Sequence, residues 1–247
     1  MTPQLKVVVL AAGKGTRLQT DTIDAPKVMR TACGKPLLWY VLNALPIKQK
    51  EDIIIVVGYG KQQVVETFKG YQFAEQVQQL GTGHAVMAAR MLLEGFYGNV
   101  LICYGDMPLV KTETYNALLQ AHFEQGNDCT ILTGETTLEL TSFGRIVRNA
   151  DKEFLRVVEE RDCNEEQLKI TELNTGVYVF NCQKLLAALL EIKNNNAQGE
   201  YYLTDVPEIM LETGAKVGLY KRNLGEEILG VNTAEQLEQV EEILIRQ

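Results

Sequence analysis

A glycine-rich loop near the start of the chain carries the residue types that bind phosphate. Residues 6–12 form a mostly apolar run that leads directly into residues 13–17, which read Gly-Lys-Gly-Thr-Arg. Glycines at the end of a strand let backbone N–H groups approach phosphate oxygens, because no Cβ atom stands in the way. Arg17 and Lys27 flank this loop, and their cationic groups suit phosphate oxygens. The pattern predicts a phosphate-binding loop, although a plain strand-ending turn would also account for the glycines.

Two familiar phosphate-binding motifs do not fit this loop. The dinucleotide fingerprint requires a third glycine, but Leu18 stands at that position, which argues against a nicotinamide-dependent oxidoreductase. The P-loop requires four residues between its first glycine and a Gly-Lys-Ser/Thr run, and the chain has no such run. His84 and His122 are the two histidines of the chain. Neither has a Ser, Cys or metal ligand at useful spacing, so no nucleophilic triad is indicated.

Asp106 is the first candidate for a metal ligand. It follows the apolar run 99–104, so its carboxylate should lie at the same carboxyl edge of a parallel sheet as the glycine loop. Mg²⁺ prefers hard oxygen ligands and commonly takes one or two protein groups together with substrate phosphates. Asp106 therefore predicts a divalent-cation site beside the loop, although an aspartate after a strand is also common in turns.

The elements that must position these residues alternate between strands and helices in the first half of the chain. Short runs rich in Val, Ile and Leu predict buried strands at 6–12, 52–57 and 99–104. Helical patterns between and after them lie at 37–45, 61–68, 84–93 and 112–125. Such alternation is typical of βαβ units. It predicts a mainly parallel, Rossmann-like, doubly wound α/β sheet with helices on both faces.

The second half of the chain predicts a β-rich insertion in this fold. A strand at 130–134 is followed by three short strand patterns between polar turns, at 145–148, 155–159 and 173–180. The remaining predicted elements are helices at 182–192 and 203–212, a strand at 216–220 and an amphipathic helix at 234–245. No internal repeat or linker interrupts the series. Residues 1–247 are therefore predicted to form a single domain.

Composition and charge restrict the class of ligand. A net charge of −8 argues against nucleic acid, whose phosphates require a basic surface, and it offers no attraction to an anionic membrane. Five scattered cysteines form no close pair, which is typical of reduced thiols in a cytoplasmic protein. No apolar run approaches the ~18 residues that a membrane span needs. We expect a cytoplasmic protein with small-molecule substrates and no nucleic-acid or membrane partner, and its oligomeric state stays open.

A series of motifs runs along nearly the whole chain in a fixed order. They read LAAGKGTR at 10–17, PK at 26–27, CGKPL at 33–37, QLGTGHA at 79–85, YGDMPL at 104–109, FGRI at 143–146, ELNTG at 172–176, NNNAQGEYYLTD at 194–205 and GVN at 230–232. The set resembles the sugar-nucleotide pyrophosphorylase family, in particular the uridylyltransferase domain of bacterial bifunctional N-acetylglucosamine-1-phosphate uridylyltransferases. The resemblance implies a fold of the nucleotide-diphospho-sugar transferase type. It also implies Mg²⁺-dependent uridylyl transfer from UTP to N-acetylglucosamine-1-phosphate, with release of pyrophosphate, as a step in cell wall biosynthesis.

The resemblance assigns the charged chemistry to four residues. Arg17 is implied at the leaving end of the triphosphate and Lys27 at the α-phosphate. Asp106, in the DMPL segment, is implied as the Mg²⁺ ligand, with Asn232 as the second ligand. Such a reaction asks for positioning and charge neutralisation rather than covalent catalysis.

The resemblance also divides the neutral contacts between two ligands. For the nucleotide it implies Leu10, Ala11, Ala12, Gly13, Gly15, Gln76, Gly81 and Thr82. For the sugar it implies Gly144, Glu159, Asn174, Tyr202 and Thr204. Gln78 and Gln79 follow Gln76, and Glu160 follows Glu159, so a slip of register would move either role to a neighbour.

Departures from the family leave alternatives open. The loop at 18–26 is longer than in the bifunctional enzymes, as it is in glucose-1-phosphate thymidylyltransferases and other nucleotidyltransferases. A pyrophosphorylase for another sugar phosphate, or for CTP or dTTP, therefore stays open, as does a non-catalytic nucleotide-sugar sensor on the same fold. The left-handed β-helix acetyltransferase domain of the bifunctional enzymes is not expected from these residues, because they contain no six-residue repeats.

Overall fold

Apolar segments of the chain form the strands of one large sheet. The computed structural model describes residues 4–15, 25–135 and 143–246. Within those residues, nine strands join the sheet and two form a separate hairpin. The strands are β1 (Leu5–Ala11), β2 (Thr31–Ala32), β3 (Lys35–Pro36), β4 (Ile53–Val57), β5 (Gln72–Glu75), β6 (Asn99–Tyr104), β7 (Cys129–Glu135), β8 (Arg145–Arg148), β9 (Phe154–Val158), β10 (Leu173–Asn181) and β11 (Val217–Asn223).

Helices connect most of these strands. They are α1 (Leu37–Ala44), α2 (Lys61–Thr67), α3 (Thr82–Ala88), α4 (Arg90–Leu93), α5 (Thr112–Gln125), α6 (Glu165–Leu168), α7 (Cys182–Ala188), α8 (Val206–Glu212) and α9 (Ala234–Arg246). A 3₁₀ helix, Leu203–Asp205, leads into α8. The longest helix, α5, ends at Gly126 in a left-handed conformation, as is typical of helix C-termini.

The sheet is mainly parallel, with one antiparallel strand inside it. The strand order is β11-β7-β10-β6-β1-β4-β5. β1 pairs in parallel with β4 and β6, β4 with β5, and β7 with β11. β10 lies antiparallel between β6 and β7. At its first residue, Leu173, β10 also pairs with β8, which forms a hairpin with β9. This hairpin is the β-rich insertion.

Side chains that alternate along β1 pack into two separate cores. Val7 and Val9 belong to a cluster with residues of α1, α2 and α5. Val8 and Leu10 belong to a cluster with residues of α3, α7 and α8. Neighbouring strand residues point to opposite faces, so an uninterrupted apolar run requires a sheet covered on both sides. The predicted α/β class with a doubly wound, mainly parallel sheet is confirmed.

Most predicted elements are present, and their differences have local causes. Strands 99–104 and 145–148 and helix 112–125 match β6, β8 and α5 at both ends. The predicted helix 84–93 begins earlier, at Thr82, and breaks at Ala89 between α3 and α4. The predicted helix 182–192 ends at Ala188, ahead of the Asn-rich segment that favours turns. In the predicted helix 203–212, the first turn is the 3₁₀ helix that leads into α8.

One sheet strand was absent from the sequence-based prediction. β5 reads Gln-Phe-Ala-Glu and pairs only with β4, at the edge of the sheet. Its four residues are too few and too polar for a clear apolar run. Its position matters because the chain leaves β5 at Gln76, beside the predicted nucleotide loop.

Candidate active site

The predicted functional residues meet at one edge of the sheet. β1, β6 and β5 are oriented alike, so the segments that follow them emerge at the same edge. These segments carry Gly13, Asp106 and Gln76. β10 runs the other way, so its first half, with Asn174, reaches this edge too. Ligands of open α/β sheets bind at such carboxyl edges.

Two adjoining cavities open at this edge. The first cavity measures ≈ 380 Å³, and the second measures ≈ 230 Å³. The predicted residues around the first cavity are Leu10, Ala11, Ala12, Gly13, Lys27, Gln76, Gly81 and Thr82. The predicted residues around the second cavity are Gly144, Glu159, Asn174 and Tyr202. The structure therefore gathers most predicted nucleotide contacts in one cavity and most predicted sugar contacts in the other.

Among the described residues, five line both cavities, and we call them the shared wall. They are Thr82, Tyr104, Asp106, Glu200 and Asn232. The two predicted metal ligands thus stand where the cavities meet. A ligand bound in either cavity could therefore contact both of these residues.

A lysine ammonium holds the two predicted metal ligands together. Lys27 forms an ion pair with Asp106, and its Nζ donates a hydrogen bond of 2.6 Å to Asn232 Oδ1. The Val231 N–H donates to the Asp106 carbonyl at 2.9 Å, which fixes the segment of Asn232 against that of Asp106. A carboxylate and an amide oxygen thus converge on one positive charge.

These two oxygens fit Mg²⁺ in kind and in number. Mg²⁺ takes hard oxygen ligands, usually one or two from the protein, and completes its shell with water and phosphate. Among the described residues there is no group of three or more His, Cys, Asp or Glu that could hold a metal by themselves. The pair Asp106 and Asn232 is therefore suited to a cation that arrives with a phosphorylated ligand.

Gly15 controls the place of Lys27, although it does not line either cavity. Gly15 has a φ of +66°, and a Cβ atom added there would lie 2.8 Å from Cβ of Lys27. Only glycine adopts this backbone conformation readily. Gly15 therefore lets the loop pack against the Lys27 stem.

Two glutamine amides stand at the first cavity. Gln76 is buried, and its Nε2 lies 3.0 Å from the Gly81 carbonyl and 3.1 Å from His84 Nδ1. Gln79 also lines the cavity, and its Nε2 donates to the Ala12 carbonyl at 2.6 Å. Gln76 and Gln79 therefore both lie where a base could bind, whereas Gln78 is not among the lining residues.

The second cavity carries one carboxylate on its far side. Thr204 does not line the cavity, but its hydroxyl donates to Glu159 Oε1 at 3.0 Å. Burial raises the pKa of Glu159. The Thr204 hydrogen bond opposes that rise, and the nearby carboxylates of Asp162 and Glu200 add to it. Asn174 is buried beside Gly144, whose carbonyl accepts from the Asn174 N–H at 2.9 Å.

The structure adds residues that the sequence-based assignment left out. Tyr104 and Glu200 belong to the shared wall, and Gln79 lines the first cavity. All three lie inside the motifs at 79–85, 104–109 and 194–205, so the sequence motifs could have identified them as candidate site residues. Arg17 lies outside the described residues, and its predicted role stays a prediction.

A model of the MobA-like NTP transferase domain family matches residues 7–205. The chain belongs to this family. The matched residues run from β1 to the 3₁₀ helix before α8, and they include most of the residues that line the two cavities. Of the predicted site residues, Asn232 alone lies beyond the match.

This NTP transferase domain is also similar to curated proteins named "Bifunctional protein GlmU". It is 45% identical to the one from Lactobacillus gasseri over 241 residues, which cover 97% of this chain and 51% of the relative. It is 43% identical to the one from Clostridium perfringens strain SM101 over 239 residues, 96% of this chain and 51% of the relative. The relative from Alkaliphilus metalliredigens is 41% identical over 244 residues, 98% of this chain and 52% of the relative. The chain therefore spans about half the length of the curated relatives it matches.

Among residues 4–15, 25–135 and 143–246, no helix has the length and apolar character that crossing a bilayer requires.

Proposed function

We propose that this domain transfers a uridylyl group from UTP to N-acetylglucosamine-1-phosphate in a Mg²⁺-dependent reaction that releases pyrophosphate. The shared wall carries this proposal. Predicted nucleotide residues line the first cavity, predicted sugar residues line the second, and Asp106 and Asn232 belong to both. Two reactants bound in these cavities would meet at Lys27 and the two oxygens. Membership of an NTP transferase family and the similarity to proteins named GlmU support the same proposal.

The first cavity would orient the nucleotide through backbone groups and amides. The backbone at 10–13 and the Gln76 and Gln79 side chains can match the donor–acceptor edge of uracil. A buried polar group such as Gln76 penalises a base that leaves it unpaired. The glycine loop then directs the triphosphate towards Lys27.

The second cavity would orient the acceptor through neutral groups and one carboxylate. Glu159 can accept hydrogen bonds from sugar hydroxyls, and the Asn174 amide suits a hydroxyl or an N-acetyl group. The sugar phosphate would then lie at the shared wall, with one phosphate oxygen in line to attack the α-phosphorus. A P–O bond forms to that oxygen as the bond to pyrophosphate breaks.

Charge neutralisation falls to the cations and the metal ligands. Lys27, placed by Gly15, would donate to an α-phosphate oxygen as negative charge builds there. Arg17 is proposed for the leaving pyrophosphate by analogy with the family. Asp106 and Asn232 would hold Mg²⁺, which neutralises phosphate charge when it is bound.

Pyrophosphate release tests this proposal. UTP, CTP, dTTP, ATP and GTP are each combined with N-acetylglucosamine-1-phosphate, glucosamine-1-phosphate and glucose-1-phosphate in the presence of Mg²⁺. Strong turnover confined to UTP with the N-acetylated sugar is the expected result. Turnover with another pair would keep the reaction and change the substrate, whereas binding without turnover for every pair would favour a sensor.

Asp106→Ala supplies the site-directed arm of this test. It should abolish turnover at all Mg²⁺ concentrations, because only one of the two protein ligands remains. Asp151→Ala is a matched control, since Asp151 is an exposed aspartate in a turn away from both cavities. Equal activity in the two variants would contradict the placement of the metal at the shared wall.

A further inference from the structure

Glu200 is the member of the shared wall whose charged group has no partner among the residues that the structure describes. Thr82 Oγ1 accepts from the Leu203 N–H at 3.0 Å, and Thr82 also shares a hydrogen bond with Tyr104. Asp106 and Asn232 bind Lys27. In contrast, the Glu200 carboxylate accepts no hydrogen bond and forms no ion pair with any residue in the described part of the chain.

The backbone around Glu200 is fixed by hydrogen bonds. The Glu200 N–H donates to Asn196 Oδ1 at 3.1 Å, and Asn196 Nδ2 donates to the Glu200 carbonyl at 2.6 Å. The next residue, Tyr201, donates its N–H to Leu80 and accepts from Gly83, each at 2.8 Å. The backbone that carries this carboxylate is thus fixed by the fold rather than part of a loose loop.

The contact with Gly81 shows how closely Glu200 approaches the first cavity. Gly81 has a φ of +110°, and a Cβ atom added there would lie 2.9 Å from Cβ of Glu200. The backbone carbonyl of Tyr201 lies closer still, at 2.6 Å from the same Cβ position. The glycine at position 81 therefore lets the backbone at Glu200 pack against the segment that carries Thr82, and Glu200 lines both cavities there.

The chemistry of a carboxylate restricts what it can bind here. A negative group repels phosphates, and a carboxylate has two acceptor oxygens but no donor. A hydroxyl pair is the matching partner, because each O–H donates to one carboxylate oxygen. In a nucleoside triphosphate, ribose joins the base to the α-phosphate and carries two neighbouring hydroxyls. Acidic side chains bind ribose hydroxyls in this way in other α/β nucleotide sites.

We infer that Glu200 accepts hydrogen bonds from the ribose hydroxyls of the bound nucleotide, so that the site selects ribonucleotides over 2′-deoxyribonucleotides. This inference rests on the proposed nucleotidyl transfer and adds a determinant of substrate specificity. The hydroxyls of the sugar phosphate offer the same chemistry from the second cavity, and the experiment separates these two sources.

The experiment compares UTP with 2′-deoxy-UTP in binding and in turnover. Calorimetric titration with Mg²⁺ but without sugar phosphate measures binding when no reaction can occur. Pyrophosphate release with N-acetylglucosamine-1-phosphate then gives kcat/KM for each nucleotide. The variants are Glu200→Gln, which keeps the shape of the side chain, Glu200→Ala, and the control Glu191→Gln, which removes an exposed charge nine positions earlier.

The unaltered protein should prefer UTP over 2′-deoxy-UTP by roughly 10- to 100-fold, the range for a hydrogen bond to a charged group. Glu200→Ala should bring this ratio close to one, mainly by weakening the binding of UTP. Glu200→Gln should lie between, and Glu191→Gln should keep the full ratio.

Two results would overturn the inference. One is an unchanged ratio in Glu200→Ala. The other is a rise in the KM for the sugar phosphate with an intact nucleotide ratio, which would assign Glu200 to the sugar. If no nucleotide and sugar pair turns over, the proposed function fails. Even then, a binding ratio that collapses in Glu200→Ala would still support the ribose contact.

Discussion

The two cavities are adjacent, yet they are built from different parts of the chain in different ways. The first cavity uses backbone and small residues that follow parallel strands, at 10–13 and 76–82. The second uses side chains from the insertion, β10 and the loop before α8, at 143–144, 159, 174–176 and 198–202. A backbone surface at a sheet edge suits a ligand component common to many family members. Side chains on an insertion can change without disturbing the sheet.

The cavities also differ in charge. The amides of Gln76 and Gln79 line the first cavity, whereas Glu159 lines the second cavity and lies close to other carboxylates. Asp162 and Glu200 contribute to the raised pKa of Glu159. Asp205 itself has a raised pKa, because it is partly buried and close to Glu208, Glu159 and Asp162. The difference in charge is therefore that Lys27 lines the first cavity and Glu159 lines the second, whereas Asp106 and Glu200 line both.

After Asp106→Ala, removing Lys27 should have the largest effect on turnover, because its ammonium binds both Asp106 and Asn232 where the cavities meet. Lys27→Ala should lower kcat by about 10²–10³-fold, the range for losing one transition-state donor, with small changes in KM for either substrate. Steady-state pyrophosphate release measures this. Lys69→Ala, an exposed lysine in a turn, is the control. A loss of less than threefold in Lys27→Ala would contradict a role in charge stabilisation.

The division between the cavities can be tested by a pair of substitutions. Gln76→Ala should raise the KM for UTP, and Glu159→Ala should raise the KM for the sugar phosphate, each by roughly 10- to 100-fold. Each variant should leave the other KM within about threefold. If both variants raised both KM values alike, the two cavities would not be separate binding sites.

Gly15→Ala should lower turnover about tenfold, because its Cβ would displace the Lys27 stem. Gly34→Ala is a matched control. Gly34 also has a positive φ, of +75°, but a Cβ there meets nothing within 4 Å. Both substitutions carry the backbone cost of about 1 kcal/mol, so only Gly15→Ala should lose activity at equal folded fraction. Equal activity in the two would show that the loop does not position Lys27.

The pH dependence should distinguish the second cavity from the first. Burial raises the pKa of Glu159. The KM for the sugar phosphate should therefore rise several-fold on acidification, and this rise should begin at a higher pH than it would with a glutamate of ordinary pKa. Thr204→Val removes the hydrogen bond that stabilises the charged form and should move this change to still higher pH. Glu159→Gln should flatten it. The KM for UTP over the same range serves as the internal control.

The smallest predicted effect concerns Asp205 and its contribution to the stability of the protein. Burial and neighbouring carboxylates raise the pKa of Asp205 to about 6, whereas an aspartate in an unfolded chain titrates near ~3.9. The contribution of Asp205 to the free energy of unfolding is therefore greatest below pH ~4, and it is lost as the pH rises through about 6. Asp205→Asn should raise Tm by about 2–4 °C at pH 8 and leave it unchanged at pH 4. An increase of equal size at both pH values would contradict this explanation.

Much of the fold could be predicted from periodicity and composition. Continuous apolar runs predicted β1, β4 and β6 as buried strands, and alternation with helices predicted the doubly wound sheet. β5 was missed because it is short, polar and at the edge. The place of β10, antiparallel between β6 and β7, could not be read from its residues, because strand order depends on contacts between segments far apart in sequence.

The candidate site, like the fold, could be predicted only in part from the sequence. The sequence motifs predicted Gly13, Lys27, Asp106 and Asn174 as site residues. The structure brings these residues together at one edge of the sheet, although their roles remain predictions. The linear motif could not decide between Gln76 and its neighbours. The structure places both Gln76 and Gln79 at the first cavity.

The sequence by itself determined the class of fold, the glycine-rich loop predicted to bind phosphate and the residue types available for chemistry, because these depend on local backbone preferences and on short spacings. Only the tertiary structure decided which residues share a wall. Thr82, Tyr104, Asp106, Glu200 and Asn232 come from four separate segments, and long-range strand pairing and packing bring them together. The carboxylate of Glu200, which has no hydrogen-bond or ion-pair partner among the described residues, is likewise recognised only from the tertiary structure, because its neighbours lie far apart in sequence.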